Sequence, residues 1–155
     1  DVAIISIDVD GLKPVDTNRT LEGVQAGDAV VQLGYPGISS MTYLAVLSQD
    51  GSVGSYNRTS IHDVSVTQGQ ISKLPRRIAN SSVDAIALNT QGDSIELSIP
   101  HSGSGNSGGP VFDRNGRVIG LFTADVRNVS GSGALALVTP IYYGSVLLGK
   151  EKTIR

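Results

Sequence analysis

The chain has 155 residues, 39% of them apolar, with 12 Lys plus Arg against 14 Asp plus Glu and a formal charge of −2. That length suffices for one domain with its own core, and the near-neutral balance offers no basic stripe for a phosphate backbone, which argues against nucleic-acid binding. The absence of cysteine excludes disulfides and thiolate metal sites, and no run of residues has the length of a membrane span or the look of a signal peptide.

In chain order, short β-branched and aromatic runs separated by Gly, Asn, Asp and Ser predict an all-β protein. Strands are expected at Val2–Asp8, Ala29–Gly34, Thr42–Ser48, Val64–Ser72, Val83–Asn89, Ser94–Ser98, Pro110–Phe112, Val118–Ala124 and Ala134–Thr139. Only Ile141–Lys150 reads as a helix, with Tyr142, Val146 and Leu147 able to share a face. No repeat at solenoid or propeller spacing occurs. Asp8-Val9-Asp10-Gly11 has the opening of a calcium loop but lacks the later acidic ligands, and reads as a solvated turn. Asn18, Asn57, Asn80 and Asn128 each head a glycosylation sequon, a pattern that Ser/Asn-rich loops also produce by composition.

Chemistry concentrates in Gly103-Ser104-Gly105-Asn106-Ser107-Gly108-Gly109-Pro110. A tetrahedral acyl intermediate carries a negative oxygen, which needs backbone N–H donors converging beside the attacking hydroxyl. Glycines allow such a bend. Ser107 would supply Oγ, and the Gly105 and Ser107 N–H groups the oxyanion hole. A bare Ser-Gly-Gly can also be a surface turn. Here, however, the loop runs into Pro110-Val111-Phe112, the turn Asp113-Arg114-Asn115-Gly116 and the apolar Val118–Leu121, giving loop, strand, hairpin and strand in order.

These residues resemble the nucleophile loop of trypsin-like serine endopeptidases. Asp1–Asp8 is similar to the Asp-Leu-Ala-Val-Leu-Lys-Val stretch carrying the triad aspartate in bacterial proteases of the Deg/HtrA type. Gly27-Asp28-Ala29-Val30 through Gly34-Tyr35-Pro36, Val66-Thr67-Gln68-Gly69-Gln70-Ile71-Ser72 and Val138-Thr139-Pro140 resemble further family segments, in family order. The resemblance implies a double β-barrel. Asp1–Gly34 would be a remnant of the N-terminal barrel, Tyr35–Ser40 a link, and Met41–Arg155 the complete C-terminal barrel with its short helix. It implies acyl transfer by Ser107, with Asp1 orienting a histidine and no cofactor or metal required. Ala134, Leu135 and Ala136 would line the substrate site, the backbone of their strand pairing with the peptide.

The family places its histidine before the aspartate, whereas His62 and His101 follow Asp1. The expectation is therefore a serine endopeptidase as the parent protein, with the base outside this chain and the chain alone inactive. The alternative is a catalytically dead relative that binds peptides. A non-family triad of His62, Asp84 and Ser107 is conceivable, since triads are defined by geometry. His101, six residues before Ser107, would lie at the base of the specificity pocket if no insertion intervenes, and would otherwise be an exposed loop residue. Asn106 replaces the acid that pairs with a new N-terminus in animal trypsins. The expected partner is a polypeptide substrate. The location implied by the resemblance is extracytoplasmic, periplasmic or secreted, and apolar surface left by a missing barrel would allow the chain to self-associate.

Overall fold

The computed structural model describes residues 2–37, 39, 42–47, 56–61, 63–75, 93–100, 103–127 and 134–149. Eight strands appear among them: β1 (Ala29–Gly34), β2 (Thr42–Leu47), β3 (Tyr56–Ile61), β4 (Ser65–Lys73), β5 (Ile95–Ser98), β6 (Pro110–Phe112), β7 (Val118–Arg127) and β8 (Ala134–Pro140), followed by the helix α1 (Tyr142–Leu147). Six strands close a barrel in the order β1-β4-β5-β8-β7-β6, and β2 pairs with β3 in a separate two-stranded sheet. Every ladder is antiparallel, and the barrel closes where Val31 faces Phe112 and Gln32 faces Val111 across β1 and β6.

Alternation of side chains across the sheet decides which residues fill the barrel. Val30, Ile71, Ile95, Leu97, Ile99, Val111, Ile119, Phe122, Ala136 and Val138 form one buried cluster. Removing each aliphatic side chain of this set from water contributes about 1.5–3 kcal/mol before entropy is counted. Outer positions such as Val66, Val126 and Leu135 stay exposed, in keeping with a sheet solvated on one face.

The hairpin joining β6 to β7 is set by its turn residues. Asp113 Oδ1 accepts the Asn115 N–H at 2.9 Å, the Gly116 N–H reaches Asp113 O at 2.9 Å, and the Asp113 N–H donates to Arg117 O at 2.9 Å. Asp side chains favour such turns because the carboxylate mimics a backbone acceptor. The segment before β1 clamps onto this hairpin. Thr17 bridges Val118 in parallel, the Asn18 N–H donates to Val118 O at 2.9 Å, and the Val118 N–H donates to Asp16 O at 2.8 Å.

Three expectations are revised. Residues 2–9 form no strand, and Ile5 and Ile7 are 86% and 65% exposed, because no described strand runs beside them to pair their backbone. Ala29–Gly34 is a stave of the same barrel as β4 to β8, so the expected boundary after Gly34 does not separate two barrels. The apolar face expected on the helix is not buried: Ser145 is its one buried residue, while Val146 and Leu147 are exposed. α1 is held instead by the Tyr142 and Tyr143 hydroxyls, which both donate to Asp93 Oδ2. β3 was not foreseen, and the expected strand Val83–Asn89 lies outside the described residues. No helix among the described residues is long and apolar enough to cross a membrane.

Candidate active site

The loop 103–109 leaves the end of β5 and enters β6, and its conformation follows from who claims each backbone donor. The Asn106 N–H closes a turn on Gly103 O at 3.2 Å, and the Gly109 N–H closes a second on Asn106 O at 2.9 Å. The Gly108 N–H donates to Phe122 O at 2.8 Å, and the Phe122 N–H donates back to Gly109 O at 2.9 Å. On the opposite side the Tyr35 N–H reaches Gly105 O at 3.2 Å and the Gly37 N–H reaches Ser104 O at 2.9 Å. The loop is thus sewn to β7 along one flank and to the segment after β1 along the other.

Not every donor of the loop is claimed. Among the described residues, the N–H groups of Gly103, Ser104, Gly105 and Ser107 donate no hydrogen bond, while those of Asn106, Gly108 and Gly109 are engaged. The Gly105 and Ser107 N–H groups, on either side of the engaged Asn106 N–H, are thus free for an external acceptor beside the serine hydroxyl. Ser107 is exposed, and its hydroxyl makes only a long contact to Thr123 O at 3.4 Å, easily exchanged for another partner. Gly105 has φ +99°, and a Cβ there would lie 2.0 Å from Tyr35 O, so neither the bend nor the approach to Tyr35 admits a side chain.

Asn106 is buried to 2% exposure against Gly34, where a Cβ would come within 2.2 Å of Asn106 Oδ1. Its Nδ2 has no hydrogen-bond partner. At the far end of β6, Asp113 anchors the turn into β7. Its carboxylate accepts from Arg117 Nε at 3.0 Å, Arg117 Nη2 at 2.9 Å, the Arg117 N–H at 3.0 Å and Asn18 Nδ2 at 3.3 Å. Burial by itself would raise this carboxyl, but the bonds from Arg117, Asn18 and Asn115 together hold it below the usual carboxylate value. Asn18 is therefore a structural residue at 4% exposure, with further bonds to Glu22 O and from the Glu22 N–H, so the sequon's asparagine is packed away.

Of the expected site residues, Ser107 and Gly105 come together in this loop. Asp1 and His101 lie outside the described residues, as do His62 and Asp84. Ala134, Leu135 and Ala136 fall on β8, with Ala136 turned into the barrel at 1% exposure and Leu135 turned out at 38%. β8 offers an open edge over only part of its length. At Ala136–Val138 it is flanked by β5 through Leu97, Glu96 and Ile95, and by β7 on the other side. Over that stretch no ladder positions are left for a peptide, while Ala134 and Leu135 pair with β7 and have no described strand on their other side.

The edge beside Ser107 belongs to β7 instead. β6 ends opposite Leu121 and the loop's bonds end at Phe122, so the outer edge of Thr123–Arg127 meets no described strand. Thr123 stands at a bulge in the β7–β8 ladder, its carbonyl toward Ser107 Oγ and its hydroxyl 2.6 Å from that of Thr139. The sequence carried one hint of this overhang. A tight turn joins the three-residue β6 to the ten-residue β7, so the second half of β7 must run past its hairpin partner.

Comparison with known proteins agrees with this geometry. The model of the trypsin-like peptidase domain matches residues 1–121. Among solved structures, the HtrA-type protease AlgW with a tripeptide is 26% identical with a TM-score of 0.57, covering 93% of this chain and 37% of that one. Its serine-to-alanine variant with a decapeptide is 23% identical with a TM-score of 0.51, covering 94% of this chain and 36% of that one. Rv3671c from M. tuberculosis H37Rv, in an inactive form, is 18% identical with a TM-score of 0.50 over 92% of this chain and 56% of its own. The chain thus spans little more than a third of the length of the AlgW structures it resembles. No curated protein sequence matches it significantly. By its family match, its closed barrel and these structural relatives, the chain belongs to the trypsin-like peptidase domain family, on the side of the HtrA-type serine proteases.

Proposed function

We propose that this chain carries the nucleophile half of a serine endopeptidase site. Ser107 Oγ attacks the carbonyl carbon of a bound peptide, and its proton passes to a histidine outside the 155 residues. Asp1 orients that imidazole, and the Gly105 and Ser107 N–H groups hold the oxyanion. Collapse of the tetrahedral species expels the amine, which takes the proton from the imidazolium. Water then repeats the sequence on the acyl-enzyme. The observation that carries the reading is the uncommitted Gly105 and Ser107 N–H donors beside an exposed serine hydroxyl, with the Asn106 N–H between them engaged.

The substrate is an extended polypeptide that adds as a strand along Thr123–Arg127, the open edge of β7 that begins at the Ser107 contact. Main-chain pairing there would fix the scissile bond over Ser107 whatever the side chains. On this reading the 155 residues alone do not turn over peptides. The family order is histidine, aspartate, serine, and both histidines of the chain follow Asp1. Membership among HtrA-type proteases carries with it an extracytoplasmic setting, which cell fractionation would test.

A fluorophosphonate probe should label Ser107 in the full-length protein and leave the Ser107→Ala variant unlabelled. A folded full-length sample that stays unlabelled would sink the protease reading. The open β7 edge by itself favours a second reading, a module that binds extended peptides without cutting. That reading predicts peptide binding without labelling, and loss of binding when proline replaces a residue of Thr123–Arg127.

A further inference from the structure

One feature of the barrel makes no sense as packing. Gln32, in the middle of β1, is 1% exposed, and neither Oε1 nor Nε2 has a hydrogen-bond partner. Its ladder neighbours are Thr67 and the fully buried Val111. An unpaired carboxamide in an apolar core is a standing cost, since each orphaned polar atom forfeits its hydration. An apolar residue of the same shape would serve the core better.

The same inner face holds a second orphan. Val30, Gln32 and Gly34 alternate inward, and the Asn106 carboxamide lies against Gly34 with its Nδ2 buried and unpaired. Positions two apart on one face of a strand are separated by about 7 Å, within reach of a Gln side chain with three rotatable torsions. The complement fits: Gln32 Oε1 lacks a donor and Asn106 Nδ2 lacks an acceptor. Asn106 also shares a peptide plane with the Ser107 N–H. Whatever fixes the Asn106 side chain from within the barrel orients the uncommitted Ser107 N–H.

We propose that Gln32 is a positioning residue for the nucleophile loop: in the form that acylates, its carboxamide accepts from Asn106 Nδ2 and locks the Asn106–Ser107 peptide in the orientation that presents the Ser107 N–H to the oxyanion. The proposal rests on the reading of Ser107 as nucleophile. It gives the chain an internal brace at the position where an N-terminal ion pair is ruled out by Asn106.

The test uses the full-length protein and the near-isosteric Gln32→Met, with Gln32→Leu as a second variant. Removing a purely structural orphan would raise the thermal midpoint and leave catalysis alone. The brace instead predicts an unchanged or raised midpoint together with an acylation rate, measured with a fluorophosphonate, that falls about tenfold, the worth of a single hydrogen bond. kcat should follow with KM unchanged. In an Asn106→Ala background, Gln32→Met should then have no further effect, since members of one unit are not additive. Side-chain amide exchange of Asn106, followed by NMR in the Ser107→Ala protein, gives a readout independent of turnover and should speed up on Gln32→Met. Wild-type acylation in Gln32→Met, multiplicative losses in the double variant, or unaltered Asn106 exchange would each overturn the brace. If the wild type itself does not acylate, the nucleophile reading fails, and the Asn106 exchange result alone decides the pair.

Discussion

Replacing Gly105 by alanine tests the loop at its tightest point. The added Cβ would stand 2.0 Å from Tyr35 O, 3.0 Å from Tyr35 C and 3.3 Å from Gly37 N, all backbone atoms that cannot swing aside. Ordinary contact begins at 3.4 Å, so the loop or the segment after β1 must retreat by roughly 1 Å or more. The residue must also hold φ +99°, where an L side chain is strained by about 1–3 kcal/mol. Overpacking against fixed backbone adds about 1–3 kcal/mol. Retreat breaks the bond from the Tyr35 N–H to Gly105 O and moves the Gly105 donor off the oxyanion position. A displacement of about 1 Å near reacting atoms costs about 10²-fold in rate. Urea unfolding of the variant should therefore show a loss of several kcal/mol, and phosphonate labelling of the full-length protein should slow by about a hundredfold or more. Gly103→Ala is the control, because a Cβ there meets nothing within 4 Å. It should stay within about 0.5 kcal/mol of the wild type and label normally. Equal damage from both substitutions, or wild-type labelling by Gly105→Ala, would refute the close-approach account.

Asp113→Ala should cost about 3–5 kcal/mol in urea unfolding, because it strands the Arg117 guanidinium and two turn N–H groups around a nearly buried carboxylate. Because the folded carboxyl titrates below its ordinary 3.8, its stabilisation is complete above that value and is lost as pH falls through the lower folded value. The variant should accordingly have a flatter acid limb in a plot of stability against pH, and an unchanged limb would count against the network. Asn18 should carry no glycan when the chain is secreted from a glycosylating host, since it is 4% exposed and bonded to Asp113 and Glu22; mass spectrometry of the folded product decides this. Lys73→Ala should change stability by less than about 1 kcal/mol despite a 2.7 Å ion pair with Glu96, because the lysine is 54% exposed and solvent screens the pair; a larger loss in thermal unfolding would contradict this.

Local signals were legible and long-range ones were not. Ala29–Gly34 and Pro110–Phe112 could be read to the residue because β-branched alternation ends at turn residues on both sides. The nucleophile loop was legible for the same reason: its glycines, its serine and the hairpin after it are contiguous. β3 escaped because Tyr56-Asn57-Arg58-Thr59-Ser60-Ile61 has too few apolar residues for a barrel stave, and it pairs only with β2 outside the barrel. Val2–Asp8 failed in the opposite direction. Its apolar residues announce burial, yet burial needs a neighbour, and beyond Val2, which lies near Gly144, Ile4, Ile5 and Ile7 stay exposed.

Which strand meets the substrate is a question of the same kind. β7 and β8 are both apolar and adjacent, and which of them keeps an open edge depends on β5 having paired with β8, a contact some forty residues away in sequence. Composition cannot report that choice. It also cannot report that the loop's rigidity comes from Tyr35–Gly37 and Gly34, which lie about seventy residues before Ser107 and look, in sequence, like a link between domains. The barrel closes by pairing β1 with β6, and that single closure sets Gly34 against Asn106 and Tyr35 against Gly105. The same stave that completes the core thus shapes the loop, and Gln32 sits on it between the two roles.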